Sequence, residues 1–205
     1  MSHRAVIFDL GGVVVGSPLH AIAAYERDLG LPANAINRVV VETGPAGAWS
    51  RLERGELGLE QFYPAFEADC AGAGCTIDAR RMMELVAGST APRPAMLEAI
   101  AAIRTRGLAV AAITNNWITE DAGANPLRAL FDVFVESAVV GIRKPDPRIF
   151  EMACSALRIA PAEAVFLDDI GRNLKTAREL GLTTIKVEEP DRALAELSRH
   201  LDLAL

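Results

Sequence analysis

Residues 5–13 of the chain read Ala5-Val6-Ile7-Phe8-Asp9-Leu10-Gly11-Gly12-Val13. Valine, isoleucine and phenylalanine favour a buried strand, whereas an ionised aspartate at its end is costly to bury unless a cation meets it. The two glycines then allow the backbone to approach a ligand closely. Asp9 is therefore a metal ligand or nucleophile of a binding site, or merely an aspartate that begins a turn. The rest of the sequence has to decide between these interpretations.

Length, charge and cysteine content exclude several classes of protein. The 205 residues suffice for one α/β core with a small insertion, and the net charge of −6 without a basic stripe argues against nucleic-acid binding. No apolar stretch approaches the length of a membrane span, so we expect no signal peptide, anchor or membrane partner. Three cysteines without metal-type spacing (Cys70, Cys75 and Cys154) indicate a reducing compartment, and hence a cytoplasmic protein. The sequence does not determine the oligomeric state.

Helical and strand patterns alternate along most of the chain. After the first strand, Gly and Pro breakers divide a mainly helical block into segments at 18–29, 32–42, 49–54, 59–71 and 78–87. Strands are then predicted at 108–113, 133–136, 164–167 and 183–187, and helices at 94–106, 126–130, 147–157, 171–180 and 191–201. This pattern predicts an α/β fold, with a Rossmann-like parallel sheet covered by helices on both faces. We assign residues 1–16 and 90–205 to this core, and residues 17–89 to a small helical cap inserted after the first strand.

Polar residues stand where the predicted strands end. The first strand ends in Asp9, the second in Thr114 and Asn115, and the fourth in Asp168 and Asp169; Lys144 and Asn173 follow the third and fourth strands. Each has a simpler interpretation as a helix cap or an exposed loop residue. Because ligands bind beyond the carboxyl ends of parallel strands, their shared edge favours one site instead.

The residue types at this edge suit phosphoryl transfer. Paired carboxylates such as Asp9 and Asp169 can hold Mg²⁺, which prefers oxygen ligands, and would repel each other without a cation between them. Lys144 and the metal would neutralise a phosphate, while Thr114 and backbone N–H groups near Gly11 would bind its oxygens. An Asp oxygen is then free to attack phosphorus and form an aspartyl-phosphate that water hydrolyses.

Four segments resemble, in order, the four motifs of the haloacid dehalogenase superfamily. The residues that carry the resemblance are Asp9, Thr114-Asn115-Asn116-Trp117, Val140-Gly141-Ile142-Arg143-Lys144-Pro145 and Val165-Phe166-Leu167-Asp168-Asp169-Ile170-Gly171-Arg172-Asn173-Leu174. Nearly the whole chain, including residues 44–47 and 51–56 of the cap, is similar to the phosphatase domain at the N-terminus of soluble epoxide hydrolases.

The resemblance implies a residue-by-residue assignment. It implies Asp9 as nucleophile, and Asp9, Asp169 and the carbonyl of Gly11 as Mg²⁺ ligands, with Asp168 in the same metal site. It also implies Lys144 as a catalytic residue that contacts the phosphate, Thr114 and Asn115 as phosphate ligands, and Asn173 in a supporting role. An epoxide hydrolase activity is not expected.

Gly11 departs from the usual pattern of phosphatases in this superfamily. Their Asp-x-Asp motif places a second aspartate there, which protonates the leaving alcohol and then activates water. General acid–base catalysis of this kind contributes ~10²–10⁴ in rate. We therefore expect poor turnover of ordinary alkyl phosphates, although the same glycine is common in this branch of the superfamily.

Three functions remain open from the sequence. The first is a Mg²⁺-dependent phosphatase of a small phosphorylated metabolite, and the second is a weak or silent relative that binds a phosphorylated ligand or partner protein. The third is a haloacid dehalogenase-type hydrolase, because the namesake enzymes also lack the second aspartate. Substrate choice should come from the cap, where Trp49, Arg51 and Arg54 could face the cleft, as could Trp117 of the core.

Overall fold

The structure, a computed structural model, describes residues 3–118 and 126–205. Its centre is a sheet of five parallel strands in the order β3-β2-β1-β4-β5. The strands are β1 (Ala5–Phe8), β2 (Ala109–Thr114), β3 (Val133–Glu136), β4 (Ala164–Asp168) and β5 (Thr183–Lys186). The predicted α/β fold class is confirmed, and so are all five strands, with ends within one residue of those expected.

Helices cover both faces of the sheet. Those of the core are α6 (Pro94–Thr105), α7 (Ser137–Val140), α8 (Pro147–Leu157), α9 (Gly171–Glu179) and α10 (Pro190–Leu201). On one face, α6 and α10 pack on Val6 and Phe8; on the other, α8 and α9 pack on Ile7. This alternation follows from the two-residue period of a strand, and it buries all of β1 between two apolar layers.

The block between β1 and α6 is helical, as expected. It contains α1 (Pro18–Asp28), α2 (Ala35–Thr43), α3 (Ala48–Glu53), α4 (Leu59–Gly72) and α5 (Ala79–Gly88). Helix α2 begins three residues later than predicted because Asn34 adopts a left-handed conformation (φ 61°). None of the helices in the described part of the chain is long and apolar enough to cross a membrane.

The helical block has an apolar core of its own. The buried residues of this cluster all lie between Ile22 and Val86, with Trp117 of the main core packed against it. The two connections to the sheet run side by side, since Gly16 N–H donates to Ala91 O at 3.0 Å and Arg93 N–H donates to Val14 O at 2.9 Å. These observations support a cap over residues 17–89, whose boundaries stay a prediction.

Candidate active site

The carboxyl ends of the strands and the cap enclose one cleft. Its polar floor includes Asp9, Lys144, Asp169 and Asn173, which belong to four different elements or loops. Its apolar walls come mainly from the cap, through residues such as Leu19, Ile22, Ile36, Val40 and Trp49, together with Trp117 of the core. The parallel sheet thus brings together residues that are up to 164 positions apart.

Lys144 is the centre of the floor. Its side chain is only 1% exposed, and Nζ lies 2.8 Å from Asp9 Oδ1, 2.9 Å from Asp168 Oδ2 and 2.8 Å from the carbonyl oxygen of Ile113. Burial alone would lower the pKa of Lys144, but the charges of Asp168 and Asp9 outweigh it and leave the pKa raised. Lys144 is therefore a buried cation held by two strand ends, and the alternative of an exposed loop lysine is wrong.

Asp9 has one of its two carboxylate oxygens tied down. Oδ1 accepts the backbone N–H of Leu10 at 2.6 Å as well as the Lys144 contact. Burial, followed by the negative charge of Asp168, raises the pKa of the Asp9 carboxyl well above its usual range, while Lys144 opposes that shift. An additional cation would stabilise the ionised form that a nucleophile needs.

Asp9, Asp168 and Asp169 form a cluster in which one oxygen of each lies within 4.8 Å of the others. Burial and the neighbouring Asp168 raise the pKa of Asp169 to about 6. Ser17 Oγ, at the start of the cap, lies 3.4 Å from Asp169 Oδ2. Lys144 contacts Asp9 and Asp168 of this trio, and an additional cation would favour ionisation of all three carboxyl groups.

Asp168 is more completely hydrogen-bonded than its neighbour. It accepts bonds from the backbone N–H of Ile170 at 2.7 Å, from Lys144, and from Asn173 Nδ2 at 3.0 and 3.1 Å. Asn173 Oδ1 is buried and accepts no hydrogen bond from the described residues. Asp168 therefore holds Lys144 and Asn173 in place within the cluster.

Thr114 and Asn115 occupy the end of β2, as expected, but differ in their surroundings. Thr114 is 6% exposed, and its Oγ1 lies 3.5 Å from the Asn115 carbonyl oxygen. The Asn115 side chain accepts the Lys144 backbone N–H at 2.8 Å and donates to the Lys144 carbonyl at 3.1 Å. It thereby fixes the loop that carries Lys144.

Gly11 lies in the cleft beside the cap. Its backbone is not in the left-handed region, but a Cβ atom at this position would stand 3.3 Å from Cδ of Pro18, the first residue of α1. Gly12 is different, with φ +79° and a Cβ position 2.1 Å from Asp169 Oδ2. Asp169 therefore packs directly on the Gly12 backbone.

The cap residues singled out from the sequence separate into two groups. Trp49 and Trp117 both line the cleft, with ring centroids 6.4 Å apart. Arg51 and Arg54 instead pair with Glu56, at 3.6 and 2.6 Å. The sequence analysis overlooked Glu53, a cap carboxylate in the cleft that pairs with Arg143 at 2.5 Å. The signal available for it was a glutamate four residues after Trp49, and so on the same side of the short helix α3.

One family of proteins matches most of the chain. Residues 3–181 match the haloacid dehalogenase-like hydrolases. Acyl-CoA dehydrogenase family member 10 of Mus musculus is 40% identical over 209 residues, which cover 100% of this chain and 20% of that protein. Bifunctional epoxide hydrolase 2 of Sus scrofa is 33% identical over 97% of this chain and 39% of its own length. This chain thus spans well under half of these two relatives.

Other similar proteins match over most of their length. Phosphatase MT3486 of Mycobacterium tuberculosis is 29% identical, over 98% of this chain and 94% of that protein. Among solved structures, a predicted HAD-like family hydrolase from Porphyromonas gingivalis has a TM-score of 0.67 at 21% identity, over 97% of this chain and 99% of that one. A HAD family enzyme from Bacteroides thetaiotaomicron, in complex with magnesium and inorganic phosphate, has a TM-score of 0.62 at 18% identity, over 90% and 94%. These structural likenesses confirm the fold.

Proposed function

The chain belongs to the haloacid dehalogenase-like hydrolases, and on this premise we propose that it is a Mg²⁺-dependent phosphatase of a small phosphorylated metabolite. The observation that carries the proposal is the buried contact of Lys144 with Asp9 inside a cluster of three carboxylates. It joins a nucleophile, a cation for the phosphate and a set of oxygen ligands for a metal. Similarity to phosphatases supports the same reaction class.

The donor set fits Mg²⁺. Asp9, Asp169 and the backbone carbonyl of Gly11 would hold the ion, in a cluster that is rich in oxygen and short of positive charge. Asp168 belongs to this cluster, but its oxygens already accept bonds from Lys144, Asn173 and Ile170, so we assign it mainly to holding Lys144. When bound, Mg²⁺ would neutralise charge on the phosphate and help to orient it.

The proposed reaction begins at Asp9. With Oδ1 tied to Leu10 and Lys144, Oδ2 attacks phosphorus, a bond forms between them, and the bond to the leaving oxygen breaks. Lys144 and the hydroxyl of Thr114 stabilise charge on the phosphoryl oxygens. Because Gly11 offers no proton, the leaving oxygen takes one from water. A second water then attacks phosphorus, which releases inorganic phosphate and restores the Asp9 carboxylate.

The walls of the cleft favour a substrate with an apolar part. Ile22, Ile36, Val40 and the rings of Trp49 and Trp117 face the space above the polar floor. When an apolar group of the substrate packs on such a wall, each Å² of apolar surface removed from water contributes about 25 cal/mol to binding. Free, buried cysteines support the expected cytoplasmic location, which is part of this proposal.

The test is release of inorganic phosphate from aryl, acyl, sugar and lysophospholipid phosphates, measured with Mg²⁺ and again with EDTA. We expect activity that requires Mg²⁺ and is abolished in Asp9→Asn, which keeps the shape of the side chain but loses its charge and nucleophilicity. Folding of the variant is checked by circular dichroism and thermal melting.

Two other outcomes identify the alternative functions. Release of halide from 2-haloacids in the presence of EDTA would indicate a dehalogenase-type hydrolase. Binding of phosphate or phosphorylated ligands without any turnover would indicate a silent relative. Phosphate release by Asp9→Asn above a trace of the wild-type rate contradicts the covalent mechanism.

A further inference from the structure

Glu53 is a buried cap carboxylate surrounded by donors from both the cap and the core. Its side chain is 9% exposed and ends α3. Oε1 accepts Nε1 of Trp49 at 2.9 Å, while Oε2 accepts Nε of Arg143 at 2.5 Å and Nδ2 of Asn115 at 3.2 Å. Two of these three donors belong to core loops, so this carboxylate joins the cap to the edge of the sheet.

Arg143 makes a second hydrogen bond to the same cap helix. Its guanidinium also donates from Nη1 to Ser50 Oγ at 3.1 Å, one turn before Glu53 on the same helix. Ser50 is 1% exposed, and the Arg143 side chain only 16%. A charge-assisted pair in such surroundings is short and directional, and it leaves an unpaired buried charge when one partner is removed.

The Asn115 side of the contact leads to the catalytic lysine. Asn115 bonds both the N–H and the C=O of Lys144, and Lys144 Nζ meets Asp9 at 2.8 Å. Hydrogen bonds therefore link Glu53 to Asn115 and Asn115 to the Lys144 backbone, and the Lys144 side chain completes the connection to Asp9. Groups hydrogen-bonded in this way act as a unit, because each bond restrains the geometry of the next.

We propose that Glu53 is a positioning residue that fixes the Asn115–Lys144 loop against Asp9 when the cap lies over the cleft. It stands outside the four superfamily motifs and contacts none of the reacting atoms. The expected effect of Glu53 on turnover rests on the proposed phosphatase function, whereas its expected effect on phosphate binding does not. Loss of the carboxylate should loosen Lys144 and so weaken both phosphate binding and turnover.

Glu53→Gln removes the charge and keeps the size of the side chain. Glu56→Gln is the matched control, since Glu56 lies three residues further on, pairs with Arg54, and is 46% exposed. We expect Glu53→Gln to reduce kcat roughly 10–100-fold, as loss of an outer-shell contact commonly does, with a smaller change in KM for an apolar phosphate ester. Glu56→Gln should stay within about twofold of wild type, as surface ion pairs contribute little.

An equilibrium measurement keeps the test independent of turnover. The probe is inorganic phosphate, whose protection against thermal unfolding is measured in the presence of Mg²⁺. Glu53→Gln should need about tenfold more phosphate than wild type for the same protection. Equal or tighter phosphate binding overturns the proposal, even if wild type shows no phosphatase activity at all. Wild-type turnover with an unchanged Glu53→Gln variant also overturns it, while the proposed function stands.

A double-variant cycle with Asn115→Ala separates positioning from a general loss of stability. If Glu53 acts through Asn115, Glu53→Gln adds little to the loss of phosphate affinity already caused by Asn115→Ala. Full additivity in phosphate affinity contradicts the route through Asn115. If Glu53→Gln fails to fold, Glu53→Asp and Arg143→Lys take its place, and each should weaken phosphate protection while retaining the charges.

Discussion

Two adjacent glycines in the turn after β1 serve different purposes. At Gly12 the backbone is left-handed and the Asp169 carboxylate lies where a Cβ atom would be, so any side chain there displaces a proposed metal ligand. At Gly11 the backbone lies outside the left-handed region, and a Cβ atom would stand 3.3 Å from the ring of Pro18, a tight contact that a small shift of the ring would relieve. Position 11 is therefore much more permissive toward a side chain than position 12.

Gly11→Asp should supply a general acid at the usual position of the superfamily. We expect little gain for aryl phosphates, and a gain of about tenfold or more for alkyl phosphates, whose leaving groups need a proton. Pro18→Ala combined with Gly11→Asp should increase that gain by removing the close contact. The measurement is the dependence of log kcat/KM on leaving-group pKa, which should become shallower.

Gly12→Ala is the control and should lose both stability and Mg²⁺ response. An unchanged slope in a folded, Mg²⁺-binding Gly11→Asp variant would show that another group already acts as the acid.

Lys144 should matter for stability as well as for activity. Lys144→Met keeps an apolar stem but leaves Asp9 and Asp168 buried without their cation, and breaking a buried pair in this way costs about 3–5 kcal/mol. Adding Asp168→Asn removes one of the two charges and should restore part of the free energy of unfolding without restoring phosphate release. Urea denaturation gives both values. Equal stability of wild type and Lys144→Met contradicts the buried charge network.

At the scale of elements, two of the cap helices, α2 and α3, obtain hydrogen-bond acceptors for their first N–H groups from other helices of the cap. Helices α2 and α3 have no capping bond from their own N-cap side chains. Glu26 of α1 accepts the N–H groups of Asn34 and Ile36 at 2.9 and 2.8 Å, and Asp69 of α4 accepts that of Ala48 at 2.8 Å. The negative charge of a carboxylate near a helix N-terminus also interacts favourably with the helix dipole. The helices of the cap are therefore stabilised as a group.

Glu26→Ala tests this mutual capping. Glu26 is 2% exposed, and its loss leaves two backbone N–H groups without their acceptor. We expect a loss of about 2–3 kcal/mol in the free energy of unfolding, measured by urea denaturation. Glu42→Ala, an exposed carboxylate on α2, is the control and should change stability by less than about 0.5 kcal/mol. Similar values for both variants would contradict the capping role.

At the scale of the whole molecule, the carboxylate cluster couples the active site to folding stability. The pKa of Asp169 is about 6 in the folded protein, above its ordinary value of 3.8. The folded state therefore binds more protons than the unfolded state between these values. The contribution of Asp169 to the free energy of unfolding therefore falls as the pH rises through this window, and then levels off. A cation bound by the ionised carboxylates has the opposite effect, because it raises the free energy of unfolding as these groups ionise.

Thermal melting with and without Mg²⁺ tests this coupling. Without metal, Asp169 should make the Tm of wild type fall relative to that of Asp169→Asn as the pH rises from about 4 to about 6. Carboxylates that are paired with arginine and have lowered pKa values, such as Glu56 and Asp146, act in the opposite direction in both proteins. The rise in Tm given by Mg²⁺ should grow across about pH 6 in wild type, because the metal needs ionised Asp169, and be small in Asp169→Asn. An identical Mg²⁺ effect in the two proteins would contradict the assignment of Asp169 as a ligand.

The sequence by itself determined the elements, the parallel sheet and the set of residues at its edge. Apolar runs, helical periodicity and Gly or Pro breakers act over a few residues, so strands and helices could be placed to within about three positions. Because parallel strands present their carboxyl ends at one edge of the sheet, Asp9, Thr114 and Asp169 could be predicted to lie close together. The family resemblance supplied the roles.

Only the tertiary structure decided which of these residues are buried, and what they touch. Lys144 has the sequence pattern of an exposed loop lysine, but the structure buries it against Asp9 and Asp168 at two strand ends. Pro18 limits the space for a side chain at position 11 because the first cap helix lies next to this turn. Glu53 and Arg143 are 90 positions apart, and neither carries a local pattern that predicts the other. Burial and ion pairing depend on distances between remote segments, which local sequence patterns do not encode.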